Sequence, residues 1–334
     1  MAKKTKVTRA AVALAAAAAV LGMSSCSFKE VQEREISVNV PPKAVFLGDS
    51  IAAGYGLEGY TDTDNYSCMS YANILKEGYE AELKDKCGHV MVNEAVSGDT
   101  SQQLLDHISK GEFDSALSDS DVVVISIGGN DILEIFLDYL SDNIDFSGGS
   151  ISLGDIDVFS LIGGFGDMED KVDTALEGFE ENLKEIIIQV RARTDGDIYV
   201  QTLYDPLEYF DFDMLTKFAD GKIERLNEIV KNNAGYGEGA YYTVVDLAPD
   251  FDGRCGELTN IPSYDIHPNA DGHKLIAEDL DRAIRSRTYS YSESYEVTDK
   301  KKVIAAAAGV LGGLIALIAG AAIVLESRKK GRNA

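Results

Sequence analysis

The sequence predicts an α/β domain whose parallel sheet is covered by helices on both faces, and three observations lead there. Short runs rich in valine and isoleucine recur along the middle of the chain, helical patterns fall between them, and the runs deliver chemically capable residues just past their carboxyl ends. The runs are KAVFLGDS from Lys43, HVMVNEAV from His89, DVVVISIGGND from Asp121, DIYVQTLYDP from Asp197 and YYTVVDLAP from Tyr241. Strands this apolar on both sides suit the interior of a parallel sheet. The last two alternate less cleanly than the others.

The clearest helix has Val172, Leu176, Phe179, Leu183, Ile186, Ile187 and Val190 at helical spacing, one greasy stripe opposite an acidic face. A second helix is expected over about 213–232 and a third over about 270–285. In open parallel sheets the ligand site lies beyond the carboxyl ends of the strands. Ser50 stands there after the first run, Gly98 after the second and Asn130 after the third.

Two stretches break the alternation. Residues 139–170 mix glycine with Phe159, Leu161, Ile162 and Phe165. Placed after Asn130, the stretch reads either as a mobile cover over the site or as a packed insertion with its own small helix. Residues 287–302, beginning RTYSYSESYEVTD, are polar and aromatic without period and read as a stalk. The domain itself is expected over 36–286.

Both ends of the chain carry membrane-related patterns. Residues 1–27 place Lys3, Lys4, Lys6 and Arg9 before an alanine-rich apolar run, the layout of an export signal. Cys26 follows LGMSS and resembles a loose lipoprotein signal, with Met23 in place of the usual leucine. At the other end, residues 303–325 carry no charge and exceed the roughly 20 residues that cross a bilayer. Arg328, Lys329, Lys330 and Arg332 in the 326–334 tail favour a cytoplasmic C-terminus, although Lys300, Lys301 and Lys302 precede the run. Gly309 and Gly313 have the spacing of a helix-packing motif. The expected arrangement is a single-pass membrane protein with its bulk outside the cell.

The 334 residues carry 56 acidic against 31 basic side chains, a formal charge of −25. Such a balance repels phosphate backbones, so nucleic acid is not an expected partner. With Cys26 set aside, Cys68, Cys87 and Cys255 remain. Three thiols permit at most one bridge, and Cys68 with Cys87 is the nearer pair in sequence. No repeated Cys/His spacing suggests structural zinc.

Serine becomes a useful nucleophile when a base takes its proton and donors stabilise the oxyanion formed on attack. Of four histidines, His89 and His107 have no supporting neighbour in sequence, and His273 lies inside a predicted helix. His267, in YDIHPNADGH after the last run, is the candidate base, with Asp265 two positions earlier. The backbone N–H groups of Ser50 and Gly98 and the Asn130 amide are the candidate oxyanion donors. Asp49 and Asp131 read as strand-end residues bonded to loop amides. The nucleophile signature GxSxG does not fit, because Ala52 occupies its final position.

Four blocks in order, FLGDSIAAGYG with Ser50, NEAVSGDTSQQLL with Gly98, IGGND with Asn130 and DIHPNADGH with His267, make the sequence resemble the GDSL esterases, or SGNH hydrolases. The resemblance covers about 43–285. It implies a three-layer α/β/α fold with five parallel strands, hydrolysis through an acyl-serine intermediate, an ester as small-molecule partner, and neither metal nor other cofactor. The second block leans toward the lysophospholipase and thioesterase branch. A carbohydrate acetylesterase would use the same residues, whereas a binding module that kept only the fold would have damaged them. Family members most often place the aspartate three residues before the histidine, where this chain has Tyr264. Either Asp265 orients His267, the favoured reading, or a backbone carbonyl does.

Overall fold

The computed structural model describes residues 28–83, 86–87, 90–143, 158–210, 213–235 and 241–330. Within helices it describes side chains for all but 137–138, 140–143, 158–165, 213–215, 314, 316–317, 320–321 and 323–330. The expected export signal with Cys26, His89, and the middle of the 139–170 stretch therefore lie outside the described residues. Two compact units are formed, one over Ser37–Tyr291 and the other from the segments on either side of it.

The strands are β1 (Lys29–Val38), β2 (Lys43–Gly48), β3 (Val90–Asn93), β4 (Val122–Ser126), β5 (Asp197–Gln201), β6 (Thr243–Val245) and β7 (Tyr289–Thr298). Strands β2 to β6 are the five runs read from the sequence, and they form one sheet in the order β3-β2-β4-β5-β6. Every neighbouring pair is parallel. The chain goes from β2 outward to β3, then crosses back to the other side of β2 to begin β4. That reversal opens a crevice between the carboxyl ends of β2 and β4, where such sheets bind ligands.

Alternation along the strands sorts the core into two layers. Ala44, Phe46, Val122, Val124 and Tyr199 face one side, where Tyr71, Tyr79 and Leu83 from helix Tyr71–Leu83 and Ile276 and Leu280 from helix Ala270–Ile284 cover them. Val45, Leu47, Val123, Ile125, Ile198 and Val200 face the other side. There they meet Leu104 and Ile108 of helix Ser101–Ser109, the Leu176-to-Val190 stripe of helix Val158–Arg191, and Leu226 and Val230 of helix Asp213–Asn233. The predicted helical stripe is almost entirely buried, with Leu176, Phe179, Leu183, Ile186 and Val190 at 0% exposure. This is the three-layer sandwich expected from the sequence.

The one bridge that the three cysteines permit is not formed: Cys68, Cys87 and Cys255 are all free thiols. Cys68 is buried against the Ala53 and Gly54 carbonyls, at 3.7 and 3.6 Å, which gives its S–H polar partners without a disulfide. The segment read as a stalk contains β7, paired with β1 in a two-stranded sheet. Lys29–Glu296 and Arg34–Glu293 ion pairs link the two strands, and Arg34 lies over the Tyr295 ring. The charged sequence KEVQEREISV gives β1 almost no apolar alternation, so nothing in it announced a strand. Residues 303–325 belong to helix Lys300–Lys330. Among the described residues no helix is long and apolar enough to cross a membrane.

Candidate active site

Strand β2 ends in a passage only glycine can make. Gly48 pairs with Ser126 of β4 at φ +143, and a Cβ placed on it would stand 2.0 Å from the Ser126 carbonyl oxygen. Asp49 then donates its N–H to that carbonyl at 3.1 Å and caps the short helix Ser50–Ala53, its Oδ1 accepting from the Ile51 N–H at 3.0 Å. Ser50 is thereby fixed at the first helical position. Burial pushes the Asp49 carboxyl up to about 7 against the Ile51 hydrogen bond, and the nearby Asp131 and Asp99 add to the rise.

His267 reaches Ser50 from the loop before helix Ala270–Ile284, 217 residues later in the chain. Its Nε2 lies 2.9 Å from Ser50 Oγ, and its Nδ1 lies 2.5 Å from Asp265 Oδ1. The same carboxylate oxygen accepts the His267 backbone N–H at 3.1 Å. Backbone bonds hold the turn: Asn260 N–H to the His267 carbonyl at 2.9 Å, and Tyr264 N–H to the Ile261 carbonyl at 2.8 Å. Tyr264 takes a left-handed conformation at φ +63, which swings the chain so that Asp265 faces the imidazole. Asn260 adds its amide to Asp265 Oδ2 at 3.4 Å, and Tyr204 donates its hydroxyl to the Ile266 carbonyl at 2.8 Å. The contact at His267 Nδ1 is thus with a carboxylate.

The candidate oxyanion donors lie on neighbouring loops. Gly98 sits in the turn after β3 at φ +92, and a Cβ there would meet nothing within 4 Å. Its glycine is demanded by backbone conformation, and the space beside its backbone is open. Asn130, second residue of helix Gly129–Asn143, donates its amide to the Asp99 carbonyl at 2.9 Å. One amide hydrogen thus braces the Gly98 loop while the second stays available, since an amide nitrogen carries two. Asp131 accepts Ser101 N–H at 2.9 Å and Ser101 Oγ–H at 2.5 Å, the loop-bonding role read from the sequence.

The other described histidines divide. His273 is fully buried, accepts the Tyr71 N–H at 3.2 Å, and is pushed down to about 3 by burial, so it is a neutral core residue. His107 does have supporting neighbours, contrary to the sequence reading: Glu112 lies 2.6 Å from Nδ1 and Asp99 lies 3.5 Å from Nε2. Both contacts are brought by the fold, one by a turn and one by the Gly98 loop. Among the described residues no three or more His, Cys, Asp or Glu side chains gather as ligands for a metal ion.

Two features of the site escaped the sequence reading. An apolar cavity of about 240 Å³ opens beside Ser50, lined by Ile51, Ile132, Phe136, Leu203, Phe218 and Ile266 among others. Ile132 and Phe136, four residues apart after Asn130, were its available signal. The second is Tyr55, between two glycines in the first block, whose ring centroid lies 4.5 Å from that of His267.

The comparisons bear on the family and the fold. Residues 46–275 match the sequence model of the GDSL-like lipase/acylhydrolase family. The uncharacterized protein YpmR of Bacillus subtilis (strain 168) is 22% identical over 241 residues, covering 72% of this chain and 80% of its own. Among solved structures, the lipase Lip_vut3 from a goat rumen metagenome superposes with a TM-score of 0.53 at 20% identity, covering 72% of this chain and 96% of that one. The extracellular lipase of Streptomyces rimosus does so with a TM-score of 0.51 at 16% identity, covering 72% and 99%. These two likenesses speak for the fold; the family model, spanning well over half of the chain with all five candidate site residues inside it, shows that the protein belongs to the GDSL-like lipase/acylhydrolase family.

Proposed function

We propose that this protein is a serine esterase that hydrolyses carboxylic esters of medium-length acyl chains through an acyl-serine intermediate. Ser50 Oγ attacks the carbonyl carbon as His267 Nε2 takes its proton. The tetrahedral oxyanion is held by the Ser50 and Gly98 N–H groups and the Asn130 amide. His267 returns the proton to the departing alcohol, and water, deprotonated by the same imidazole, releases the acid and restores Ser50. Asp265 keeps the proton of the neutral imidazole on Nδ1 and stabilises the imidazolium. The observation that carries the reading is the unbroken Ser50–His267–Asp265 relay, at 2.9 and 2.5 Å.

The acyl preference rests on the cavity beside Ser50, whose walls are almost wholly apolar. Each methylene it buries is worth about 0.8 kcal/mol, or up to roughly fourfold in kcat/KM. Taking a methylene as about the 30 Å³ share of a water molecule, the cavity is filled at roughly eight carbons. A p-nitrophenyl ester series from acetate to palmitate is expected to climb to that region and then level or fall. A maximum at acetate would remove the acyl pocket from the proposal and favour the acetylesterase reading.

Asn130→Ala is expected to lower kcat by about 10²-fold, with KM changed much less, because the amide acts on charge that develops only in the transition state. Unchanged kcat in a variant with native circular dichroism would take Asn130 out of the oxyanion site.

We place the enzyme outside the cell on a membrane tether. Support comes from the full sequence and not from the described helix: the N-terminus is cationic and then apolar, and the uncharged 303–325 run, in which the side chains of 314, 316–317, 320–321 and 323–325 are not described, is followed by a basic tail. Expressed in intact bacteria, the protein is expected to sediment with membranes and to lose its 37–291 unit to protease added outside; a protected or freely soluble domain contradicts the placement.

A further inference from the structure

We infer that the leaving-group side of the site selects alcohols that carry a positive charge, and that Tyr55 is the residue that recognises it. The inference rests on the esterase reading above and adds the class of the alcohol. The departing oxygen must come within hydrogen-bond reach of His267 Nε2 to receive its proton, so whatever the alcohol carries lies against the surroundings of that imidazole. The acyl cavity takes one flank, through Ile51, Tyr264 and Ile266. Neither Tyr55 nor Tyr60 lines that cavity. Tyr55 packs on the imidazole itself, is 42% exposed, and meets Tyr60 edge to face at 5.3 Å between centroids. Tyr60 donates its hydroxyl to the Asp62 carboxylate at 2.8 Å. An accessible ring face beside the point of proton delivery is thus backed by a second ring anchored to an anion.

Charge around the pair has one sign. Residues 44–75, 91–109, 122–136, 202–210 and 255–273, which supply the strand ends and loops of the site, contain no lysine or arginine, although the chain has 31. The loop bearing the two tyrosines carries Glu58, Asp62 and Asp64 instead. Lys222, which lines the acyl cavity, is held by Asp173 at 2.6 Å and Glu169 at 3.3 Å. A cleft walled by one sign of charge concentrates ions of the other, and an aromatic face with carboxylates around it is suited to a quaternary or primary ammonium. Alcohols bearing phosphates or other anions meet the opposite field.

The test compares two octanoate esters of equal shape, octanoylcholine and its uncharged carbon analogue, 3,3-dimethylbutyl octanoate, by titrating released acid. At low salt the choline ester is expected to have the higher kcat/KM by about two- to fivefold, the range of a cation over a partly exposed ring. The advantage should shrink as salt is raised to about 0.5 M, where the Debye length falls to a few ångströms. Tyr55→Phe, which retains the aromatic face, is expected to keep the ratio, and Tyr55→Leu to bring it toward one. A ratio at or below one in the unaltered enzyme, a salt-independent ratio, or a ratio that survives Tyr55→Leu overturns the inference. Hydrolysis of p-nitrophenyl octanoate separates the two levels: its absence defeats the esterase reading, whereas its presence without a charge preference defeats this inference alone.

Discussion

Alanine at Ser50, at His267, or at both is expected to lower kcat on p-nitrophenyl octanoate by the same factor, about 10⁶. The equality matters more than its size. If the hydroxyl and the imidazole act as one device, linked by the 2.9 Å contact, removing either leaves the other with nothing to do, and the double variant loses no more than the single ones. What remains in all three is binding and the oxyanion donors, worth about 10³–10⁴ over water. Ser50→Ala should also lose all labelling by a fluorophosphonate, since phosphonylation forms its bond at Oγ. His267→Ala should label slowly. Multiplicative losses would mean two independent contributions, and a Ser50→Ala variant with native turnover would leave the proposal without a nucleophile.

The sheet was legible because its strands are buried on both faces, and burial of that kind writes itself as uninterrupted Val and Ile: Val122, Val123, Val124 and Ile125 are all at 0% exposure. The helix stripe from Val172 to Val190 was legible for the matching reason, one apolar face at a period near 3.6. Strand β1 was not, because an exposed strand held by ion pairs such as Arg34–Glu293 leaves no hydrophobic signature, and in β7 the alternate Tyr289, Tyr291, Tyr295 and Val297 were masked by the serines and glutamates between them. Ser50, Gly98, Asn130 and His267 could be read from their motifs and their positions past strand ends. The Tyr55 contact could not, and of the cavity only the Ile132 and Phe136 pair left a trace, since each is made of residues from distant segments, apolar or aromatic types that sequence pattern assigns to the core by default. His107 shows the same limit with charge: its partner Asp99 is eight residues away, on the far side of a helix start, and only the turn at Gly98 brings the two to 3.5 Å.

Asp265→Asn is expected to lower kcat by about 10⁴-fold while leaving the fold and the acyl-chain preference intact. The carboxylate at 2.5 Å from Nδ1 demands a proton there, which leaves Nε2 bare to accept from Ser50. A carboxamide presents both a carbonyl and an N–H. With the N–H turned to Nδ1, the ring proton moves to Nε2, and the base is lost without any atom having shifted appreciably. The position of this aspartate sharpens the test. Two residues before the histidine instead of three, it shares a turn with His267 and accepts that residue's backbone N–H as well, at 3.1 Å. That bond ends on the same oxygen, so an asparagine turning its N–H to Nδ1 gives it up; the other bonds of the turn, Asn260 N–H to the His267 carbonyl among them, should hold the loop, and the loss should appear in kcat. Asp265→Ala removes both bonds and is expected to raise KM and lower thermal stability in addition. If Asp265→Asn instead costs less than about tenfold, the imidazole is oriented by something other than this carboxylate, and the catalytic unit contracts to Ser50 and His267. A loss of 10⁴ confined to kcat would establish that a shortened spacing, reached through the left-handed turn at Tyr264, serves the same purpose as the commoner one.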